Sequence, residues 1–229
     1  MNNFSIIIPA YNEEIALPKL LNEIYNINFK KEFEVIVVND SSSDNTLEQL
    51  ERFNSHNLKI INHSKRFGQS KAIYNGINAA KYENVITIDG DGQNNPQDIL
   101  YMLEIFLKTK DSKIVCGIRK NRKDSTIRIL SSKFANFIRK LYLGDDCDDT
   151  GCSLKIFNKH YFLKIPYFNG IHRFIPALFN GMKFKPLYVE VDHRPRLHGN
   201  SKYGISNRLL KGIVDMYKVK KMIKNFKND

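Results

Sequence analysis

The chain has 229 residues, of which 42% are hydrophobic, and its formal net charge is +12. This length can bury a substantial core in one domain, and the modest Gly and Pro content (12 and 7 residues) excludes a long disordered chain. The positive charge indicates an anionic partner, which can be nucleic acid, anionic lipid or a phosphorylated substrate.

Three cysteines, Cys116, Cys147 and Cys152, fit neither a disulfide framework nor a zinc-ligand spacing, so we expect reduced thiols in a cytosolic protein. The first residues lack the features of a signal peptide, and no run approaches the roughly 20 apolar residues of a membrane span. We therefore expect a cytoplasmic chain that does not cross the bilayer.

Short apolar runs alternate with segments of helical periodicity over the first half of the chain. Strands are predicted at residues 4–9, 34–38, 58–61, 84–88 and 114–117, and helices at 15–24, 46–53, 68–81 and 96–106. This alternation predicts an α/β fold with a parallel sheet covered on both faces. It also places three polar turns, at residues 10–14, 39–44 and 89–93, along one edge of the sheet.

The turn at residues 89–93 carries the clearest chemical signal. Asp89, Asp91 and Gln93 alternate with two glycines directly after a buried strand. Ligands of open α/β sheets collect at such strand ends, and carboxylate and amide oxygens suit Mg²⁺ or Mn²⁺. No G-x-G-x-x-G or P-loop follows any strand, so a bound diphosphate must be held by metal and side chains.

The chain becomes strongly basic after residue 118. Residues 126–143 and 207–226 predict basic amphipathic helices, which either lie on anionic membranes or pack on a core with a basic outer face. Between them lie an acidic cluster at 145–149, predicted strands at 153–157 and 184–191, a predicted helix at 172–179, and a glycine-flanked cationic loop at 193–204. The four acidic side chains of the cluster repel one another unless a cation, an arginine or a proton intervenes.

Five motifs, taken in order, resemble the inverting family 2 glycosyltransferases with the GT-A fold. They are the segments 6–13 (IIIPAYNE), 37–44 (VVNDSSSD), 89–93 (DGDGQ), 149–151 (DTG) and 196–203 (RLHGNSKY). The last two are similar to the branch of dolichol-phosphate mannose synthases and bacterial polyprenyl-phosphate glycosyltransferases. The match covers about residues 4–219. Asn39 and Ser41 depart from the family's V-V-D-D-G-S-T-D, in which Asp and Gly stand at these positions.

The resemblance implies a donor site on the early turns. Four residues would surround the nucleobase and ribose: Pro9, Tyr11, Glu13 and Asp40. Asp89 would lie by the ribose and the metal, and Asp91 and Gln93 would bind the Mg²⁺ or Mn²⁺ ion that neutralises the leaving diphosphate. Arg196 and Lys202 resemble closing-loop cations that stabilise the same oxygens.

The resemblance also implies an acceptor site in the basic half. Arg119, Arg128 and Ser132 resemble the group that holds the acceptor phosphate, and Asp149 is the candidate general base or acceptor-orienting residue. A phosphate monoester is anionic near neutral pH, so a general base is optional for a phosphate acceptor and needed for a hydroxyl acceptor.

We therefore expect a single GT-A catalytic domain over residues 1–229. Residues 1–117 would bind the nucleotide sugar, 118–204 would hold the acceptor and the closing loop, and 205–229 would form a basic amphipathic segment. Many relatives of this branch carry transmembrane helices after the catalytic domain. Because none is expected here, attachment would be peripheral, on the anionic inner face of the membrane, or through a separate membrane partner protein.

The expected reaction is metal-dependent transfer of a hexose from a UDP- or GDP-sugar to a polyprenyl or dolichyl phosphate. A family 2 enzyme that acts on a saccharide hydroxyl is the alternative. A non-catalytic nucleotide-sugar-binding protein is a further alternative, because the second motif is altered. A nucleic-acid-binding module is suggested by the charge alone, and since its signature motifs are absent we expect no nucleic acid partner.

Overall fold

A computed structural model describes residues 3–53, 55–109, 112–120, 136–196 and 206–226, and for residues 206–211 only the backbone. Seven strands in these ranges form one sheet in the order β3-β2-β1-β4-β6-β5-β7. The strands are β1 (Phe4–Ala10), β2 (Phe33–Asn39), β3 (Leu58–Asn62), β4 (Asn84–Thr87), β5 (Ile114–Arg119), β6 (Lys155–Asn158) and β7 (Leu187–Val191).

Helices cover both faces of this sheet. In chain order they are α1 (Ala16–Tyr25), α2 (Thr46–Glu51), α3 (Gln69–Asn78), α4 (Asp98–Lys108), α5 (described over 136–143), α6 (Lys159–Leu163), α7 (Ile175–Gly181) and α8 (Ser206–Phe226). A short 3₁₀ helix (Ile171–Arg173) precedes α7. Within the described ranges, none of these helices has both the length and the apolar character that a membrane span requires.

Alternate residues of the central strands supply two separate cores. Ile6, Ile8 and Val37 face one core, whereas Ile7 and Val38 face the other. Successive side chains of a strand point to opposite faces, so fully apolar strands indicate a sheet that is buried on both sides. On the second face α3 lies close to the sheet, because a Cβ atom added at Gly76 would lie 2.5 Å from the Ile7 side chain.

The predicted α/β fold with a mostly parallel sheet is confirmed. The strands and helices predicted before residue 118 are all present, and β1, β2, β3 and β4 pair in parallel. One strand departs from the parallel pattern: β6 lies between β4 and β5 and runs antiparallel to both. Its apolar sequence predicts a strand but carries no information about direction or partner, because both kinds of central strand are equally buried.

Several predicted segments of the second half have shifted boundaries, and the strand predicted at 153–157 is observed at Lys155–Asn158. The strand predicted at 184–191 begins only at Leu187, and the helix predicted at 172–179 is a 3₁₀ turn followed by α7. Residues 136–143 of the predicted helix 126–143 are helical, and residues 126–135 lie outside the described residues. The expected helix after residue 205 is present as α8.

Polar turns follow β1 and β2 and are bonded to each other. Asn12 N donates to Ser42 Oγ at 2.9 Å, and Glu13 N donates to Thr46 Oγ1 at 2.8 Å. The carboxyl ends of β1 and β2 are also in register, with Asp40 N donating to Ala10 O at 2.8 Å. The polar turns predicted to share one edge of the sheet therefore do so.

The two departures from the family motif have specific places in the β2 turn. Asn39 is buried, donates from Nδ2 to Asn62 Oδ1 at 2.7 Å, and accepts a hydrogen bond from Ser42 Oγ at 2.5 Å. Ser41 has a φ of +59°, in the left-handed region that favours glycine. The backbone at this position has thus kept the conformation of a glycine turn, although its residue is a serine.

Replacing Ser41 with glycine should stabilise the protein. The substitution relieves a left-handed conformation that costs an L-residue about 1–2 kcal/mol, and part of that gain is offset by the flexibility of glycine in the unfolded chain. We expect Ser41→Gly to raise the free energy of unfolding by about 0.5–1 kcal/mol in urea titrations. The control Ser43→Gly removes a hydroxyl that lies 3.1 Å from Asn12 Nδ2, so it should lower the free energy of unfolding. A Ser41→Gly protein that is less stable than wild type would show that the left-handed backbone at Ser41 is not strained.

Candidate active site

A cleft at the carboxyl edge of the sheet gathers most of the predicted donor-site residues. The lining includes seven of them: Pro9, Tyr11, Glu13, Asp40, Asp89, Asp91 and Arg196. These residues come from the ends of β1, β2 and β4 and from the segment after β7. Parallel strands bring their carboxyl ends to one edge, which explains why residues 187 positions apart in sequence, from Pro9 to Arg196, share one cleft.

Asp40 organises the segment that connects β3 to α3. Its buried carboxylate accepts hydrogen bonds from the backbone N–H groups of Phe67 and Gly68, at 2.8 and 2.7 Å. Nδ1 of His63 lies 2.7 Å from Asp40 Oδ1, and Nε2 of the same ring lies 3.0 Å from Asn75 Nδ2. Asp40 therefore lines the cleft as predicted, but its oxygens also hold the 63–68 segment in place.

That segment places an arginine on the aromatic wall of the cleft. The guanidinium of Arg66 lies 3.9 Å from the centre of the Tyr11 ring, within the range of a cation–π contact. Arg66 also lines the cleft, together with Gly68 and Gln69 at the start of α3. Tyr11 and Arg66 together present a flat surface suited to packing on a nucleobase.

Two carboxylates face each other after β4. Burial, followed by the charge of Asp91, raises the pKa of Asp89 from 3.8 to about 7. A hydrogen bond from Ser153 and the charges of Lys155 and Arg119 act in the opposite direction. Gln69 Nε2 donates to Asp89 Oδ1 at 2.7 Å, and Asp89 N donates to Ser153 Oγ at 3.0 Å. The neighbouring cations do not fully compensate the negative charge of Asp89 and Asp91. A divalent cation bound between them would supply the missing positive charge.

Arg196 supplies part of that charge. Its Nη2 lies 2.7 Å from Asp91 Oδ2, while Asp91 Oδ1 accepts a hydrogen bond from Gln93 N at 3.1 Å. Gln93, the other predicted metal ligand, is not among the residues that line the cleft, and its Nε2 donates to Arg194 O at 3.4 Å. The closing-loop cation predicted from the resemblance therefore lies directly against one of the two predicted metal ligands.

The donor set fits a hard divalent cation that keeps part of its coordination shell for substrate. Within the described ranges, no three His, Cys, Asp or Glu side chains converge as a complete metal-binding cluster. Asp89 and Asp91 offer carboxylate oxygens that line the cleft, and Gln93 follows them in the same turn with its Nε2 directed to Arg194 O. Mg²⁺ is commonly held by one or two carboxylates plus substrate phosphates and water, so this sparse set is sufficient.

Asp149 and Arg119 form a bidentate ion pair, and the charge of Arg119 lowers the pKa of Asp89. Arg119 Nε and Nη2 lie 2.7 and 2.8 Å from the two oxygens of Asp149, and Arg119 N also donates to Oδ2 at 3.1 Å. Both were predicted as acceptor-site residues, but their pairing was not. Since both oxygens of Asp149 are engaged, its carboxylate is arranged to orient Arg119.

The rest of the acidic cluster is neutralised by arginine and lysine. Arg139 of α5 forms a buried ion pair with Asp145, and Lys140 Nζ lies 2.5 Å from Asp148. The expectation that cations must intervene in this cluster is thus met by basic residues of α5 and β5. The thiols of Cys116, Cys147 and Cys152 are free and buried, and burial raises the pKa of each.

Three predicted site residues, Arg128, Ser132 and Lys202, lie outside the described residues. Three residues of the site were missed by the sequence analysis: Arg66, Gln69 and Ser153. The first two flank Gly68 at the start of a helix that follows β3, so they form a further polar turn at the same edge and carried a usable signal. Ser153 had no such signal, because its place beside Asp89 depends on the antiparallel pairing of β6 with β4.

The raised pKa of Asp89 predicts a specific dependence of stability on pH. The unfolded carboxyl has a pKa near 4, so between about pH 4 and 7 the folded state binds the proton more tightly and stability falls as pH rises. Without metal, we expect Asp89→Asn to be more stable than wild type at pH 8, by up to about 4 kcal/mol, with the difference vanishing near pH 4. Urea titrations across this range measure it.

The control for this prediction is Asp146→Asn, which removes an exposed carboxylate of the same chain. We expect this variant to follow the wild-type curve of stability against pH. An Asp89→Asn protein that is less stable than wild type at pH 8 would show that the ionised Asp89 carboxylate does not destabilise the folded state.

Comparison with known proteins agrees with this geometry. The family model described as glycosyl transferase family 2 matches residues 5–166. Among solved structures, glucosyl-3-phosphoglycerate synthase from Mycobacterium tuberculosis in complex with Mn²⁺, UDP and phosphoglyceric acid superposes with a TM-score of 0.73 at 15% identity. The match covers 93% of this chain and 78% of that one, which shows the shared GT-A fold.

Two curated relatives are closer in sequence. Dodecaprenyl-phosphate galacturonate synthase of Rhizobium johnstonii is 34% identical over 223 residues, covering 94% of this chain and 65% of that protein. Undecaprenyl-phosphate 4-deoxy-4-formamido-L-arabinose transferase of Proteus mirabilis is 34% identical over 209 residues, covering 89% of this chain and 63% of that protein. The chain thus spans slightly less than two thirds of the length of these relatives, and by the extent of the family match it belongs to glycosyl transferase family 2.

Proposed function

We propose that this chain is a catalytic domain that transfers a hexose, with inversion, from a nucleotide sugar to a polyprenyl phosphate in the presence of Mg²⁺ or Mn²⁺. The observation that carries the proposal is one cleft that combines two carboxylates, the half-buried Asp89 and the buried Asp91, with a cationic and aromatic wall. The two relatives described above act in polyprenyl-phosphate chemistry, which supports the acceptor class.

The donor would lie along the edge of the sheet. Tyr11 and Arg66 would pack on the nucleobase, while Pro9, Glu13 and Asp40 would close the pocket around base and ribose. Either a uracil or a guanine base suits this surface, because stacking is tolerant of base identity. The diphosphate would then reach Asp91 and Gln93, where a bound divalent ion neutralises the charge that develops on the leaving group.

The acceptor phosphate would approach from the side of β5. Arg119, held by Asp149, would bind it together with Arg128 and Ser132. A guanidinium suits a phosphate as a charged hydrogen-bond donor, and the orientation that Asp149 gives to Arg119 lowers the entropic cost of binding. A phosphate monoester carries its own negative charge near neutral pH, so Asp149 need not remove a proton from it. An Asp149 whose two oxygens are both bonded to Arg119 is consistent with that role.

A direct assay tests this function. Purified protein is mixed with UDP- and GDP-hexoses, Mg²⁺ or Mn²⁺ and a short-chain polyprenyl phosphate, and the glycolipid product is measured by chromatography and mass spectrometry. We expect turnover with at least one donor, and a loss of about 10³-fold in kcat for Asp91→Asn, since transition-state charge would lose its metal. Full activity of Asp91→Asn after metal removal would refute the metal's role. Nucleotide-sugar binding without turnover on any acceptor would favour the non-catalytic alternative.

The same assay separates the two acceptor classes through Asp149. If the acceptor is a phosphate, Asp149→Asn should mainly raise the acceptor KM, by about 10-fold to 100-fold, because Arg119 loses its orienting partner. If the acceptor is a saccharide hydroxyl, loss of the general base should lower kcat instead by at least about 10²-fold, with KM little changed. Polyprenyl phosphate that is ignored while an oligosaccharide is glycosylated would establish the alternative function.

Exposed apolar side chains on two neighbouring helices support a peripheral membrane contact. Leu141 on α5 and Tyr217 on α8 are 70% and 67% exposed, and Phe137, Ile213 and Val214 are also exposed. Lys220 of α8 links the helices by donating to Tyr142 O at 2.6 Å. Exposed lysines flank this surface, at Lys218, Lys221 and Lys224. An apolar surface rimmed by lysines fits an anionic lipid headgroup layer, as expected for an enzyme with a lipid acceptor on the cytoplasmic face.

Vesicle co-sedimentation tests this contact. We expect binding to phosphatidylglycerol-containing vesicles that weakens with salt, and about 5-fold weaker binding for Leu141→Ser and for Tyr217→Ser, because each removes apolar area from the lipid. The matched control is Tyr101→Ser, which removes an aromatic ring that is 59% exposed on α4. Equal losses in all three variants, or no vesicle binding by wild type, would contradict the proposed surface.

A further inference from the structure

We propose that Arg196 acts as the resident counter-cation of the metal site. In the metal-free protein its guanidinium neutralises Asp91, and the divalent ion takes over that role when it binds with the nucleotide, which releases Arg196 to the diphosphate. This inference rests on the proposed function, because it takes Asp89 and Asp91 to be the metal-binding carboxylates. It adds that the metal ion competes with Arg196 for Asp91. It adds also that Arg196 couples the binding of the metal to the binding of the nucleotide.

The contact that carries the inference is the ion pair at the centre of the cleft. Arg196 Nη2 lies 2.7 Å from Asp91 Oδ2, and the Asp91 side chain is only 9% exposed. A charge-assisted hydrogen bond at this burial is strong, because little water screens it. The carboxyl groups of Glu13 and Asp89 also lie close enough to act on the guanidinium of Arg196.

The backbone before Arg196 fixes this position. Arg194 N donates to Gln93 O at 2.8 Å, and Asn94 and His193 form an antiparallel β-bridge. The side chain of Arg194 reaches back to Asn95 Oδ1 at 2.8 Å and to Glu23 Oε2 at 2.7 Å. The segment containing the predicted metal ligands is thus paired with the segment that leads to Arg196, and this register brings the guanidinium to Asp91.

A divalent ion and the guanidinium oppose each other at this site. A cation bound between Asp89 and Asp91 would lie within a few ångströms of Arg196, where two positive charges repel in a poorly solvated cleft. Metal binding to the nucleotide-free protein must therefore displace Arg196 or accept its repulsion. A diphosphate changes this balance, because it offers Arg196 a new anionic partner while it also binds the metal. Metal and nucleoside diphosphate should then strengthen each other's binding, and by the same factor.

Titration with Mn²⁺ alone, followed by electron paramagnetic resonance of the free ion, tests the inference without measuring catalysis. We expect Arg196→Ala to bind Mn²⁺ about 10-fold more tightly than wild type when no nucleotide is present. Arg196→Lys should fall between them, because an ammonium keeps the charge but loses the fork geometry. When UDP or GDP is added, Mn²⁺ affinity should rise in wild type by a factor several-fold larger than in Arg196→Ala.

Two controls identify the source of any change. Arg52→Ala removes the same charge from an exposed position that pairs with Glu48, and it should leave Mn²⁺ affinity at the wild-type value. Asp91→Asn should abolish Mn²⁺ binding if the titrated site is the one proposed.

The outcomes separate this inference from the function on which it rests. If Asp91→Asn abolishes binding but Arg196→Ala binds Mn²⁺ no more tightly than wild type, the counter-cation role is overturned and the metal site stands. Binding that appears in every variant only when UDP or GDP is present overturns it as well. Absence of Mn²⁺ binding in all variants, with and without nucleotide, overturns the metal assignment itself.

Discussion

Two neighbouring carboxylates after β4, the half-buried Asp89 and the buried Asp91, are the constraint on which the site depends. Asp89 and Asp91 repel each other, and burial removes the water that would screen them, which is why the pKa of Asp89 rises to about 7. The charges of Lys155 and Arg119 lower the pKa of Asp89, and Arg196 pairs with Asp91 in the cleft. The negative charge of the two carboxylates is therefore only partly compensated at the point where a metal–diphosphate would bind.

The antiparallel strand β6 brings two of the groups that lower the pKa of Asp89, Lys155 and Ser153, close to that carboxyl. It is inserted between β4 and β5, so that Lys155 pairs in register with Thr87 and with Cys116. Ser153, just before the strand, accepts from Asp89 N at 3.0 Å, and Ser153 O accepts from Thr87 Oγ1 at 2.6 Å. A parallel strand in this place would present its carboxyl end at the cleft edge and its amino end at the opposite edge of the sheet. The reversal therefore brings the segment before β6 directly against the turn that holds Asp89 and Asp91.

The sequence predicts the donor half well, because alternating elements with apolar strands leave few alternatives to a parallel sheet and place the turns after β1, β2 and β4 together. It fails for relationships between distant segments. Both Arg119 and Asp149 were identified, but the ion pair between them depends on how β5 meets the loop after α5. The polar turn that holds Arg66 is visible in the sequence, but its contact with Tyr11 is not, because that contact depends on Asp40, which holds the 63–68 segment through hydrogen bonds from the backbone of Phe67 and Gly68.

The contacts of Asn39 and Ser41 explain how the altered motif at residues 37–44 keeps its structure. Asn39 meets its hydrogen-bonding capacity inside the turn and Ser41 keeps the left-handed backbone, so Asp40 still reaches the segment that it organises. The substitutions leave the geometry of the donor wall intact, which argues against a degenerate site. Arg119 acts on residues from both halves of the chain, since it binds Asp149 and its charge lowers the pKa of Asp89. If Arg119 binds an acceptor phosphate as proposed, that phosphate would weaken the effect of the guanidinium on Asp89, so acceptor binding and the ionisation of Asp89 would be linked through one side chain.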